Sequence, residues 1–429
     1  MSLIRTTYCG WPAWRLDNGI VQVHLAPDLG GRIIQYQLGS FEYLWTNQRL
    51  HGKLPPPGGL GPDGGWLNYG GDKLWPAPQG WDNENQWPGP PDPILDTGPY
   101  TIPIQTGQDN LECVEMTSPN DPRTGIRFTR QLRLTPHSSQ VKITATMTNI
   151  DTRKRRWGIW SNTQLNAANR RGPGYNPHVW GFCPLNPQSR WAKGYNVMFG
   201  SEDNPSYKPD SDRRLMCVHY ERLLGKIGID SDAGWAAVVD GTDGYAFVQR
   251  FAFAPGRDYP DGASVEIWMD GIGKIIVGGK TWEGTDDPLA TPYIFESEVL
   301  SPMEELQPGE SSTFRYEWCA ANVGGNYPVL DCTDVGVVSE PVRCVRGEET
   351  IRLGGRLGAF FTGRCVAVFT DVLGNPLGRA DLNLEITPLQ PLIFHSMELG
   401  PVPKNTVTIS LELEGNHGTI LGELAHVAC

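Results

Sequence analysis

The stretch YIFESEVLSP, residues 293–302, is followed closely by LQPGE at 306–310. Its apolar residues fall on both faces of an extended chain, as in a buried strand, yet it contains two carboxylates. Side chains of a strand alternate between faces. Ile294, Glu296, Glu298 and Leu300 therefore share one face, and Tyr293, Phe295, Ser297 and Val299 share the other. A buried carboxylate is costly, so such a pair lines a polar cleft, accepts several hydrogen bonds or titrates abnormally. The plain alternative is a solvated outer face of an antiparallel sheet.

Outward from this strand the chain reads as β throughout. IVQVHLAP (20–27), GRIIQYQL (31–38) and FEYLW (41–45) open a meander. Strand patterns resume at 125–135, 141–150, 157–165, 234–240, 245–253 and 264–271, and FRYEW at 314–318 closes the body. Residues 51–100 carry 11 prolines and 11 glycines with Trp66, Trp75, Trp81 and Trp87, the composition of a long ordered loop packed over a sheet. Residues 166–215 read as a second such excursion. Beyond 340, CVAVFTDVLGNPLG (365–378), LNLEITPL (382–389) and TVTISLELEG (406–415) predict a small antiparallel sandwich. The expected division is 1–335 and 340–429, with the boundary near 335–345. The basic run Arg153 to Arg156 lies between two strands and is expected to cap a hairpin.

Bulk composition narrows the function. The 429 residues hold 51 Gly, 36 Pro and 15 Trp, which favours turns and short strands over long helices. A formal charge of −12 disfavours nucleic acid and anionic membrane surfaces as partners. No apolar run reaches the ~20 residues of a membrane span, and the N-terminus lacks a signal-peptide layout, so a cytoplasmic protein is expected. The nine cysteines are scattered, odd in number and free of any CxxC pair, and the eight histidines show no ligand spacing. Reduced thiols, no metal and no cofactor are the expectation.

Four segments in order carry a resemblance: LAPDLGGRIIQYQL (25–38), LNYGGDKLW (67–75), MTNIDTRKRRWGIWSNTQL (147–165), and the E-x-E strand with LxPGE. Over residues 12–320 the chain resembles the galactose mutarotase-like (aldose 1-epimerase) superfamily. The resemblance implies an all-β supersandwich with a sugar cleft on the concave face of one sheet, and for residues 340–429 only an appended domain. In the family reaction a glutamate removes the proton of the anomeric hydroxyl while a histidine protonates the ring oxygen. Glu296 matches that glutamate, and Glu298 stands where the family has glutamine. At the two histidine positions stand Tyr69 and Asn162, both poor acids at neutral pH.

The missing acid leaves several candidates. His51, His178 and His219 are loop or strand histidines. Asp72 and Lys73, between a glycine turn and Trp75, combine charge with an aromatic platform, or form a structural ion pair. Repulsion between Glu296 and Glu298 would alternatively keep one of them protonated. As a glycosidase pair they are ill-directed, because both project in parallel from one strand. Trp160, Asn162 and Gln164 share a strand face suited to polyols, and Arg32 lies in GGRII; Asp261 and Glu266 would sit at the rim. The expected function is a carbohydrate-active, mutarotase-type enzyme with catalytic Glu296 and Glu298. Tyr69, Asp72, Lys73, Trp75, Asn162, Gln164 and Arg32 would bind a small sugar or oligosaccharide. The alternatives are a non-catalytic carbohydrate-binding or sensing protein and a structural role for tandem β-domains.

Overall fold

The computed structural model describes residues 2–103, 113–347 and 350–429. Among them, a 12-stranded sheet runs in the order Ser2–Tyr8, Trp11–Asp17, Val21–Ala26, Arg32–Leu38, Asp72–Ala77, Arg155–Asn166, Ile294–Leu300, Val265–Met269, Gly225–Ile229 and Asn196–Gly200. Two short strands, Phe41–Glu42 and Glu304–Leu306, attach at its side. A second, nine-stranded sheet stacks on it, with Tyr245–Phe251, Ser311–Asn322, Val141–Asn149 and Ile126–Leu134 as consecutive neighbours. The ladders within both sheets are antiparallel. The chain is thus an all-β supersandwich.

Period-two burial explains the stacking. Along Val141–Asn149 every odd-numbered residue is buried and every even one is partly or fully exposed, so one apolar face closes on the partner sheet. The shared core joins Tyr36, Val265, Phe295 and Val299 of the first sheet to Phe128, Ile143, Phe247 and Trp318 of the second. Tyr36 lies 5.8 Å from Trp318 and 5.9 Å from Phe247 between ring centroids.

The C-terminal portion forms two four-stranded sheets with their own core, including Leu353, Phe369, Phe394, Ile409 and Leu411. It rests on the outer face of the nine-stranded sheet through Val337 and Phe360, which pack with Phe182, Trp235 and Val239. Backbone bonds from Ser139 N to Phe360 O and from Thr362 N to His137 O, both 2.8 Å, fasten the contact.

Three expectations are corrected. Residues 51–100 are not wholly irregular: Asp72–Ala77 is a strand inside the large sheet. Its Pro76 is tolerated because only Asp72 pairs with the strand on the other side. The second excursion likewise contributes the strands Val179–Pro184, Asn196–Gly200 and Tyr207–Asp210. Finally, not all cysteines are free thiols. Cys344 and Cys429 form a disulfide, with their Cα atoms 5.5 Å apart, across a sequence separation of 85 residues. No helix among the described residues is long and apolar enough to cross a membrane.

Candidate functional site

The site is assembled where Asp72–Ala77 enters the large sheet. Gly70 and Gly71 adopt positive φ of 89° and 71°. A Cβ on Gly71 would lie 2.5 Å from the Ile33 carbonyl oxygen, and one on Gly70 2.2 Å from that of Trp45. Only glycine passes here. The crossing sets Lys73 opposite Asn162, Asn162 opposite Glu298, and Glu298 opposite Glu266. In the next row Gln164 faces Glu296, Glu296 faces Trp268, and Trp268 faces Lys226. All these residues share the face turned away from the sandwich core.

Glu296 is the centre of one half. Its two carboxylate oxygens accept hydrogen bonds from Asn162 Nδ2 at 2.9 Å and Gln164 Nε2 at 2.5 Å. Burial raises its pKa, the neighbouring Glu298 adds to the rise, and Lys73 with the two amides opposes it. Lys73 is fully buried and its Nζ has no hydrogen-bond partner. The ammonium sits 4.8 Å from the Trp75 ring centroid and 5.8 Å from that of Trp66. Burial pushes it down to about 8, with Arg32 adding to the fall and the charges of Glu296, Asp96 and Asp72 resisting.

The other half is organised by a second lysine. Lys226 Nζ lies 2.6 Å from Glu266 Oε2 and 2.9 Å from Glu298 Oε2, and Trp160 Nε1 donates to the same Glu298 oxygen at 2.7 Å. Burial opposes the charge on Lys226, but the two carboxylates overcome it and raise its pKa. Glu298 therefore belongs to a different network from Glu296. The carboxylates that compete for one counter-ion are Glu298 and Glu266, while the repulsion expected between Glu296 and Glu298 acts on Glu296, as a lesser cause of its rise than burial. A cavity of about 260 Å³ opens at this end, lined among others by Trp160, Phe199, Lys226, Asp261 and Glu266. Asp270, beyond the Val265–Met269 strand, is buried, and its carboxyl is pushed up to about 8 by burial and then by Glu296.

One feature is common to both halves: buried polar atoms on this face lack partners. They are Lys73 Nζ, Asn162 Oδ1, Gln164 Oε1, Glu266 Oε1, Asp270 Oδ1 and Glu298 Oε1. Buried polar groups are normally satisfied. Five of the six are side-chain oxygens, which suits a ligand rich in hydroxyl groups.

The remaining residues singled out by sequence fall elsewhere. Asp72 points to the opposite face, into the sandwich interior. There it is ion-paired with Arg130 and accepts hydrogen bonds from Ser161 Oγ at 2.9 Å and Thr163 Oγ1 at 2.6 Å. Adjacent residues of a strand cannot share a face, so Lys73 and Asp72 are separated by geometry. Arg32 is fully buried and consumed by the carbonyls of Leu29, Gly70 and Asp96 and by the Asp96 carboxylate at 2.9 Å. Asp96 also accepts from Trp66 Nε1 at 2.7 Å and Trp75 Nε1 at 3.2 Å, fixing both rings beside Lys73. Tyr69 packs in a small cluster with Trp11, Leu29 and Ile34. His51 stands edge-on to Trp11 in the same region and contacts Thr46 Oγ1 at 3.2 Å. His178 contacts Asn326, and His219, on a strand of the nine-stranded sheet, contacts Glu221 and the Pro177 carbonyl. Arg153, Lys154, Arg155 and Arg156 pair with Glu84, Glu305, Asp151 and Asp258 respectively, so their anions are the chain's own.

Sequence reading missed Lys226, Asp270 and the anchoring role of Asp96. A lysine within GKIGI (225–229) carried the only local signal, a charge on an otherwise apolar strand. Chemically, the assembled face offers a carboxylate oriented by two amides, an unpartnered ammonium of lowered pKa, and tryptophan rings around them.

A family model described as a domain of unknown function (DUF4380) matches residues 13–177, which include Lys73, Asn162 and Gln164 but not Glu296. No curated protein matches the chain. Among solved structures, it is similar to a TPR-domain containing protein from Parabacteroides distasonis, at 14% identity and a TM-score of 0.47; the match covers 80% of this chain and 51% of that one. The chain thus spans about half the length of that relative. It is also similar to a putative mutarotase (YeaD) from Salmonella typhimurium, at 13% identity over 75% of this chain and 94% of that one, TM-score 0.45. A galactose mutarotase-like protein from Lactobacillus casei follows at 11% identity over 71% and 99%, TM-score 0.43.

Proposed function

We propose that the protein is a carbohydrate-active enzyme of the galactose mutarotase-like class that interconverts the anomers of an aldose, with Glu296 as base and Lys73 as acid. The observation that carries this reading is the presence, on one sheet face, of an amide-oriented carboxylate and a buried ammonium without a hydrogen-bond partner. Glu296 accepts the proton of the anomeric hydroxyl while Lys73 donates to the ring oxygen. The bond between the anomeric carbon and the ring oxygen breaks, the aldehyde rotates, and closure on its other face returns both protons. A lysine brought down to about 8 remains largely protonated at neutral pH yet gives up its proton more readily than an exposed one. General acid–base catalysis of this kind contributes on the order of 10²–10⁴-fold.

Trp160, Trp75 and Trp268 supply apolar faces for a sugar ring, and the five unpartnered side-chain oxygens take its hydroxyls. Glu298, held by Lys226 and Trp160, acts as a positioning and hydroxyl-accepting group rather than as the acid. Neutral aldoses suit this face better than anionic ones, because its carboxylates outnumber its lysines.

Saturation-transfer NMR on a panel of neutral aldoses tests the proposal. Accelerated anomer exchange, lost in Glu296→Gln, supports it. Sugar binding without exchange would leave a carbohydrate-binding protein in its place, and binding of no aldose would remove both readings.

A further inference from the structure

The two lysines of the cleft have opposite fates in the fold. Lys226 is locked between two carboxylates at 2.6 and 2.9 Å, so its lone pair is never free. Lys73 has no such partner. Its Nζ is buried beside the Trp66 and Trp75 rings, with no acceptor to hold its proton, and the Glu296 charge lies close enough to act on it. Burial of a lysine that no carboxylate pairs is the setting in which amines become nucleophiles toward carbonyl carbon.

We infer that Lys73 forms a covalent imine with the open-chain aldehyde of its sugar, giving the site a carbonyl-capture activity beyond anomer exchange. This rests on the reading above, in which Lys73 donates its proton to the ring oxygen. Donation leaves a neutral amine beside the newly formed aldehyde, whose carbon was bonded to the oxygen just protonated until the ring opened. The nitrogen lone pair forms the N–C bond, and the carbonyl π pair moves to the former anomeric oxygen. That oxygen recovers the proton held by Glu296. Transfer of a nitrogen proton through Glu296 to the same oxygen then breaks the C–O bond and releases water. The products are the imine and one water, with no oxidant or reductant involved; addition of water reverses the sequence.

Trp66 is 38% exposed, whereas Lys73 behind it is buried, so entry of a carbonyl compound displaces the Trp66 ring. The exposed lysines Lys154, Lys193 and Lys274 are each ion-paired with a glutamate, whereas Lys73 has no hydrogen-bond partner and burial lowers its pKa. Allowing for the lower intrinsic reactivity of a weaker base, Lys73 is expected to react at least about tenfold faster than these residues.

The experiment treats the full-length protein at neutral pH with sodium cyanoborohydride and either glyceraldehyde, which needs no ring opening, or an aldohexose. Peptide mapping by mass spectrometry locates the reduced adduct on the wild-type chain, so the result does not depend on a variant that folds. A predominant adduct at Lys73, formed at least about tenfold faster than at the exposed lysines and absent in Lys73→Arg, is the expected result. Glyceraldehyde adducts confined to exposed lysines, or none at Lys73, overturn the inference. Anomer exchange measured in parallel keeps the parent reading separate: exchange without capture sinks the imine alone. Capture of glyceraldehyde without exchange supports the nucleophile and sinks the mutarotase reading.

Discussion

Lys73 and Lys226 stand on the same face of the same sheet, with three strands between theirs, and the fold drives their acidities in opposite directions. Both are buried, so desolvation disfavours the charge on each. Two carboxylates within 3 Å reverse that effect at Lys226, and no direct partner does so at Lys73. In the proposed function this asymmetry gives the two halves of the face different work, holding a ligand on one side and moving protons on the other.

The pH dependence follows from that assignment. The acid must be protonated, so anomer exchange is present below the Lys73 pKa and declines as pH rises through about 8. Burial raises Glu296, which moves the acidic limb above the usual carboxylate range. A narrow bell is the predicted profile of kcat/KM. Activity undiminished at pH 10 would exclude Lys73 as the acid.

Asp270 ties stability to pH. Its carboxyl is pushed up to about 8 in the fold, whereas an unfolded aspartate titrates near 4. Between these values the folded state holds a proton that the unfolded chain has lost, so stability falls as pH rises from about 4 toward 8. Each unit of separation corresponds to about 1.4 kcal/mol. Asp270→Asn is expected to flatten this decline in urea-unfolding measurements at a series of pH values. An unchanged slope would show that Asp270 is not its source.

Asp72, one residue from Lys73, is predicted to matter for stability through the opposite face. Asp72→Asn leaves Arg130 without its buried counter-charge, a loss of about 3–5 kcal/mol. Replacing both residues by apolar ones of similar volume is expected to recover much of it. Chemical denaturation checks this, and a single-variant cost under about 1 kcal/mol would contradict the account.

The Cys344–Cys429 bridge joins the strand Gly336–Arg346 to the last residue of the chain. Cys344→Ser is expected to destabilise the C-terminal sheets by about 2–4 kcal/mol, through the added freedom of the unfolded chain. Thermal unfolding with and without reductant reads this out. A transition indifferent to both would show that the bridge does not contribute.

Much of this arrangement was legible in the sequence. Alternation in YIFESEVLSP correctly separated Glu296 and Glu298 from Phe295, Ser297 and Val299, and the same rule put Trp160, Asn162 and Gln164 on one face. It failed where a strand was read as a turn. Taking GGDKLW as a loop hid the fact that Asp72 and Lys73 must point in opposite directions. Arg32 was unreadable for another reason, because its partner Asp96 lies 64 residues away in the proline-rich loop. Lys226 meets Glu298 only through non-local pairings of three strands, and two cysteines 85 residues apart carry no local sign of a bridge.

The central claim is that Glu296 and Lys73 together move the protons of an anomeric centre. Saturation-transfer NMR of neutral aldoses with wild-type protein, Glu296→Gln and Lys73→Met, each first shown to be folded, tests it most directly. The account predicts exchange by the wild type that falls by roughly 100-fold or more in either variant. Wild-type exchange that survives in both variants would contradict it.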